Sequence, residues 1–285
     1  MADYKDGYWM SGDGLRLHYR DYPGPASKSP LICIAGLTRN ARDFEPVANM
    51  VAGSRRIIAL DLRGRGESGY AKDPMTYLPI TYAQDVDLLL RELNLKGFIL
   101  LGTSLGGIVS LLLAHGWAKQ LRAVILNDVG PEIGAKGLER IKSYVGNSRS
   151  FETWMHAARA LADVNGDVYP YYQLDDWLRF AKRTCKLANN GRIVFDYDMK
   201  ISEPFRLPGG EAGVDLWPIY ELLGDKPVLI LRGEKSDILE KAAATKMAKK
   251  LPNARVATVA KTGHAPALDE PDSVAALTAF LSQVK

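Results

Sequence analysis

The sequence is poor in the residues that crosslink chains or hold metals. Two cysteines, Cys33 and Cys185, and four histidines are spread over 285 residues. That supply gives neither a disulfide framework nor a Cys/His cluster with metal-ligand spacing. Cys33 sits in the apolar run Leu31–Ala35, where a small buried thiol is the ordinary occupant. There is no phosphate-cradling loop and no H-E-x-x-H pair. No cofactor and no metal are therefore expected. Long hydrophobic runs are also missing: no stretch approaches the ~18 apolar residues of a membrane span. The charged start, residues 1–7, has no apolar core of a secretory signal. The expectation is a cytoplasmic protein without a membrane partner. A dominant charge is lacking too, with 37 basic against 33 acidic residues and a net charge of +4. The basic residues are scattered, whereas a nucleic-acid surface gathers them on one face. A small molecule is the expected partner, and nothing in the sequence specifies an oligomeric state.

What is present is an alternation. The runs Leu31–Ala35, Ile57–Leu62, Phe98–Leu101 and Ala123–Asn127 are short and apolar but for Asp61 and Asn127 near their ends. Such runs suit strands buried on both faces of a mostly parallel sheet. Helical patterns separate them at Phe44–Ala52, Thr81–Leu93 and Gly106–His115. In the second, Val86, Leu89, Leu90 and Leu93 mark one face. Gly7–Met10 and Leu15–Tyr22 read as an antiparallel lead-in pair, turned at Gly12-Asp13-Gly14. The rhythm stops at Pro131 and resumes with Val228–Arg232, a helix near Leu239–Lys250, Arg255–Val259 and a last helix at Ser273–Gln283. Between these lie helix candidates at Gly137–Val145, Phe151–Ala162 and Leu174–Ala188, no strong strand, and about half of the 25 aromatic residues. The organisation expected is an α/β core over 1–130 and 219–285, with a helical cap inserted over 131–218.

The chemistry gathers in a few segments. Gly102-Thr103-Ser104-Leu105-Gly106 stands between a strand and a helix. This G-x-S-x-G context forces a sharp turn, so small residues must flank the serine at two positions either side. The serine oxygen is thereby left at a helix N-terminus, where N–H groups can receive an oxyanion. A serine hydroxyl needs a base, and histidine serves near neutral pH. His18 lies in a lead-in strand, His115 ends a helix and His156 is in the cap; only His264 falls in a loop at the strand ends. A carboxylate must then orient the imidazole. Asp237, after Val228–Arg232, is the expected acid, and Asp128, directly after Ala123–Asn127, is its competitor.

These segments resemble the α/β-hydrolase superfamily, in its capped esterase, lactonase and C–C-hydrolase branch. Asp61-Leu62-Arg63-Gly64-Arg65-Gly66-Glu67-Ser68 matches that branch's D-x-R-G-x-G-x-S turn, and Gly-His-Ala-Pro-x-x-Asp-Glu-Pro at 263–271 matches its histidine loop. The resemblance implies an α/β-hydrolase fold, a mostly parallel central sheet flanked by helices with an inserted helical cap. Its chain order of nucleophile, acid and base is met by Ser104, Asp237 and His264. It also implies an oxyanion hole from the backbone N–H groups of Leu37, in the loop after Leu31–Ala35, and Leu105. Ala35-Gly36 replaces the His-Gly common at that loop, and the glycine-rich loops of some lipases and of meta-cleavage C–C hydrolases are absent.

Gly64-Arg65-Gly66-Glu67-Ser68-Gly69 also satisfies G-x-G-x-x-G formally, but Pro74 and Pro79 follow where a dinucleotide site needs a helix. A serine rather than an aspartate at 104 separates the chain from haloalkane dehalogenases and epoxide hydrolases. The expected activity is hydrolysis of a carboxylic ester or lactone through an acyl-enzyme. The alternatives are a cofactor-free C–C hydrolase or perhydrolase using the same triad, and a non-enzymatic ligand sensor that retains it. Trp154 and Trp177 are candidate substrate contacts in the cap, or else pack it. Arg39, beside the oxyanion loop, is a candidate for a substrate carboxylate, or else a solvated arginine.

Overall fold

The computed structural model describes residues 2–206 and 215–284. An eight-stranded sheet is built from β1 (Lys5–Met10), β2 (Arg16–Tyr22), β3 (Leu31–Ile34), β4 (Ile57–Asp61), β5 (Phe98–Thr103), β6 (Leu121–Asn127), β10 (Val228–Gly233) and β11 (Ala254–Val259). Their order is β1-β2-β4-β3-β5-β6-β10-β11. The first two strands pair antiparallel, and every pair from β4 to β11 is parallel.

The apolar runs explain the layering. In β5, Phe98 and Leu100 enter one buried cluster while Ile99 and Leu101 enter the other. The period of two sends successive side chains to opposite faces, and both faces are covered. One face is packed by α2 (Pro79–Leu93), α3 (Leu105–Gly116), α7 (Trp217–Glu221) and α8 (Lys241–Lys250). The other is packed by α1 (Glu45–Val51) and α9 (Pro271–Gln283). Both cysteines are buried and free, and burial pushes the Cys185 thiol up to about 12.

The chain winds from β3 outward to β4, then crosses back to place β5 on the other side of β3. In open α/β sheets the crevice at such a reversal, beyond the carboxyl ends of the strands, is where ligands bind.

Between β6 and β10 lie α4 (Ala135–Tyr144), α5 (Trp154–Asn165) and α6 (Leu174–Thr184). Beside the expected helices, the insertion carries short strands. β7 (Ser150–Phe151), β8 (Cys185–Leu187) and β9 (Ile193–Phe195) form an antiparallel sheet of their own, in the order β7-β9-β8. Each strand is too short for a period-two pattern to show, and the helix expected to reach Ala188 stops at Thr184, where β8 begins. The last residues assigned to the insertion also differ. α7 straddles the expected 218/219 boundary and packs Tyr220 into the main core, its hydroxyl donating to the Met247 carbonyl (2.9 Å).

Candidate active site

The turn after β5 holds Ser104 at φ 52°, ψ −118°, in backbone space that side-chain-bearing residues rarely enter. Its neighbours explain the glycines. A Cβ on Gly102 would stand 2.3 Å from the Gly106 carbonyl oxygen, and one on Gly106 would stand 1.9 Å from that of Ile34. Both obstacles are backbone, so only glycine lets the helix start this close to the sheet. The Ser104 carbonyl accepts from Gly107 N–H (2.8 Å) and opens α3.

His264 lies in the loop after β11. Its Nε2 is 2.9 Å from Ser104 Oγ, and its Nδ1 is 2.7 Å from Asp128 Oδ2. The carboxylate beside the histidine is thus that of Asp128, and Asp237 is corrected. Asp128 is fully buried just past the end of β6. Its Oδ1 accepts from Gly233 N–H (2.8 Å) and its Oδ2 from Ser236 Oγ (2.6 Å) as well as from the imidazole. Asp237 faces away to Arg140 of α4, accepting from Nε (2.7 Å) and Nη2 (2.8 Å). Hydrogen bonding to that guanidinium holds the Asp237 carboxyl below the usual range. β6 and β10 are parallel neighbours, so both strand ends deliver an aspartate to the same region. The arginine laid down by the cap engages both oxygens of one of them.

The histidine loop is braced from both sides. Asn127 Nδ2 donates to the Pro266 carbonyl (2.9 Å), the Tyr169 hydroxyl to the Ala265 carbonyl (2.8 Å), and Gly263 N–H to the Val168 carbonyl (3.0 Å). Glu270 gathers Ala267 N–H (2.6 Å), Leu268 N–H (3.0 Å) and Ser273 Oγ (2.6 Å).

Leu37 follows β3 and Leu105 follows Ser104. Among the described residues neither backbone N–H finds an acceptor. Leu37 is held through its own carbonyl, which accepts from Arg65 Nε (2.9 Å), and the peptide bearing its N–H through the Gly36 carbonyl, which accepts from Arg39 N–H (3.1 Å). Arg65 is fully buried and also donates to the Arg63 carbonyl (2.6 Å) and the Tyr82 hydroxyl (3.0 Å). Sequence reasoning missed Arg65 as a support for this loop. The D-x-R-G-x-G-x-S match singled out its segment but showed nothing of where the side chain points. The same turn grips the cap, through Gly66 N–H on the Asp196 carbonyl (3.2 Å) and Asp198 N–H on the Gly64 carbonyl (2.8 Å). Asp61 at its head accepts from Ala41 N–H (2.7 Å) and Glu67 N–H (3.0 Å), and lies 2.7 Å from His18 Nδ1.

A cavity of about 210 Å³ opens on Ser104 and His264. It is lined by Gly36–Arg39 on one side and by residues of the segment between β6 and β10 on the other, among them Tyr144, Leu161, Tyr169, Phe180 and Tyr197. Trp154 and Trp177 do not line it. They pack the interior of the cap, where Trp177 meets Tyr172 at 5.1 Å and Phe180 at 5.7 Å between ring centroids. Arg39 does line the cavity, but its charge is engaged. It pairs with Asp43 (Nε to Oδ2, 2.7 Å), donates to the Thr184 hydroxyl and lies 4.3 Å over the Phe180 ring. Among the described residues no group of three or more His, Cys, Asp or Glu side chains is placed to hold a metal ion.

Residues 31–277 match the model of the alpha/beta hydrolase family. The chain is 30% identical over 283 residues to the 3-hydroxybutyrate-oligomer hydrolase of Cupriavidus necator, spanning 96% of this chain and 95% of that protein. It is 29% identical over 230 residues to the 2-(acetamidomethylene)succinate hydrolase of Mesorhizobium japonicum, spanning 80% and 79% of the two chains. Among solved structures, an alpha/beta hydrolase from Novosphingobium aromaticivorans superposes with a TM-score of 0.95 at 53% identity, over 100% of both chains.

Proposed function

Since the chain belongs to the alpha/beta hydrolase family, we propose that it hydrolyses a carboxylic ester or lactone through an acyl-enzyme on Ser104. The observation that carries this reading is the unbroken relay at the cavity, from Ser104 Oγ to His264 Nε2 (2.9 Å) and from Nδ1 to Asp128 (2.7 Å). His264 takes the hydroxyl proton as Ser104 attacks the carbonyl, and returns it to the leaving alcohol. Asp128 keeps the Nδ1 proton in place and stabilises the imidazolium. The free N–H groups of Leu37 and Leu105 receive the oxyanion; one such donor is worth roughly 3 kcal/mol in the transition state. Water, deprotonated by His264, then releases the acid. An ester is supported further by the relative named as a 3-hydroxybutyrate-oligomer hydrolase, since hydroxy-acid oligomers are joined through ester bonds.

The test is turnover of a short p-nitrophenyl ester panel by the wild type and by Ser104→Ala. Turnover should vanish in the variant, along with labelling by a fluorophosphonate probe. Wild-type rates in Ser104→Ala would overturn the assignment, as would unchanged labelling of His264→Ala.

A further inference from the structure

Every buried arginine but one makes at least two hydrogen bonds among the described residues. Arg63 is bidentate to Asp85 and also meets Asp13. Arg65 donates to three oxygens, and Arg39 is held by Asp43 and Thr184. The exception is Arg183, on α6 in the cavity wall. It is 8% exposed, and its buried Nε finds no hydrogen-bond partner among the described residues. Its nearest carboxylate oxygen, Asp269 Oδ2, stands 3.9 Å from Nη2, beyond hydrogen-bond reach. Burial raises the Asp269 carboxyl, a shift that the nearby Arg183 charge opposes. A guanidinium carries five donors and keeps its charge, so a buried donor left without an acceptor is costly. The charge balance of the cavity points the same way. Its lining holds Arg39, Arg149 and Arg183 against the single carboxylate of Asp43, and Asp43 is already spent on Arg39. Arg149 is exposed at the cavity and has no ion pair among the described residues.

We propose that Arg183, assisted by Arg149, binds a free carboxylate of the substrate, so that the preferred substrate is an ester carrying an acid group of its own. The carboxylate supplies the planar, two-oxygen acceptor that a guanidinium fork matches. It also moves the role first considered for Arg39 to the arginine whose Nε is without a protein acceptor. The inference rests on the hydrolase reading only for the bond that is cleaved; the anion site stands on its own observations.

Two measurements separate the two. The first compares kcat/KM for monomethyl succinate, glutarate and adipate with that for their dimethyl esters. The best half-ester should exceed its neutral counterpart by at least about tenfold in the wild type, the value of one charge-assisted contact. Arg183→Gln should collapse this ratio through KM, Arg183→Lys should keep part of it, and Arg149→Gln should lower it to a lesser extent. The second titrates glutarate into Ser104→Ala, with and without Arg183→Gln; the added change should weaken binding at least about tenfold. A wild type that prefers the dimethyl esters overturns the proposal even should the Arg183 variants fail to fold. An unchanged ratio and affinity in a folded Arg183→Gln overturn it as well. Absence of any turnover, with glutarate binding still dependent on Arg183, refutes the hydrolase reading and leaves the anion site standing.

Discussion

Replacing Asp128 by asparagine should cost about 10³–10⁴-fold in kcat, roughly 4–5.5 kcal/mol, with little change in KM. The magnitude follows from the acceptor pattern around the carboxylate. Oδ1 receives the Gly233 N–H, so the amide oxygen of an asparagine must occupy that side. The amide NH₂ is then turned toward Ser236 Oγ and His264 Nδ1. Ser236 has little to offer it, because its oxygen already accepts from Ile238 N–H (3.2 Å) and Leu239 N–H (3.0 Å). His264 Nδ1 therefore becomes an acceptor, and the imidazole proton moves to Nε2, facing Ser104. In that tautomer the ring has no lone pair for the serine proton. Asp237→Asn is the control. Its carboxylate pairs with Arg140 near the surface, so stability should drop by less than about 1 kcal/mol and kcat should stay within about threefold. Steady-state ester hydrolysis, with melting curves to verify folding, decides between them. A loss in Asp237→Asn equal to that in Asp128→Asn, or near-normal kcat in the latter, would refute the reasoning.

Arg65→Lys removes the donor that fixes the Leu37 carbonyl, and kcat should fall about 10–100-fold with KM nearly constant; lost stability with unchanged kcat would show that Arg65 has no part in aiming the loop. Gly102→Ala drives a Cβ to 2.3 Å from a backbone oxygen and should destabilise by about 3 kcal/mol, read as a fall in melting temperature; a melting curve unchanged from wild type would contradict the packing argument. His18 is buried, which alone lowers its pKa, but its hydrogen bonds to Asp61 and Asp6 outweigh this and raise it. A raised folded value means the ion-pair stabilisation is complete below about pH 6.5 and lost as pH rises through the folded pKa. Denaturant unfolding of the wild type relative to His18→Gln should accordingly show a stability difference that shrinks as the pH rises above about 6.5; parallel profiles would sink this account.

Sequence alone determined what depends on local pattern. Buried parallel strands must be short and continuously apolar, so β3 to β6 and β10 were visible as runs, and the glycines around Ser104 announced a strand-to-helix turn that only glycine permits. His264 was legible because its loop follows the last strand candidate. Other features lay beyond local pattern because their partners are distant along the chain. Asp128 and Asp237 both follow strands that end side by side, and the choice fell to Arg140, contributed by the cap 97 residues away from Asp237. Arg65 reaches Leu37 across 28 residues, and the unpartnered Nε of Arg183 is visible only once every neighbour is in place. Trp154 and Trp177 have the composition of a binding wall, yet their direction was set by how α5 and α6 pack on each other. Periodicity fixes which face of an element is apolar, whereas the pairing of charges is a property of the assembled surface, and here that pairing leaves Asp128 rather than Asp237 beside His264 and the Arg183 Nε without a protein acceptor.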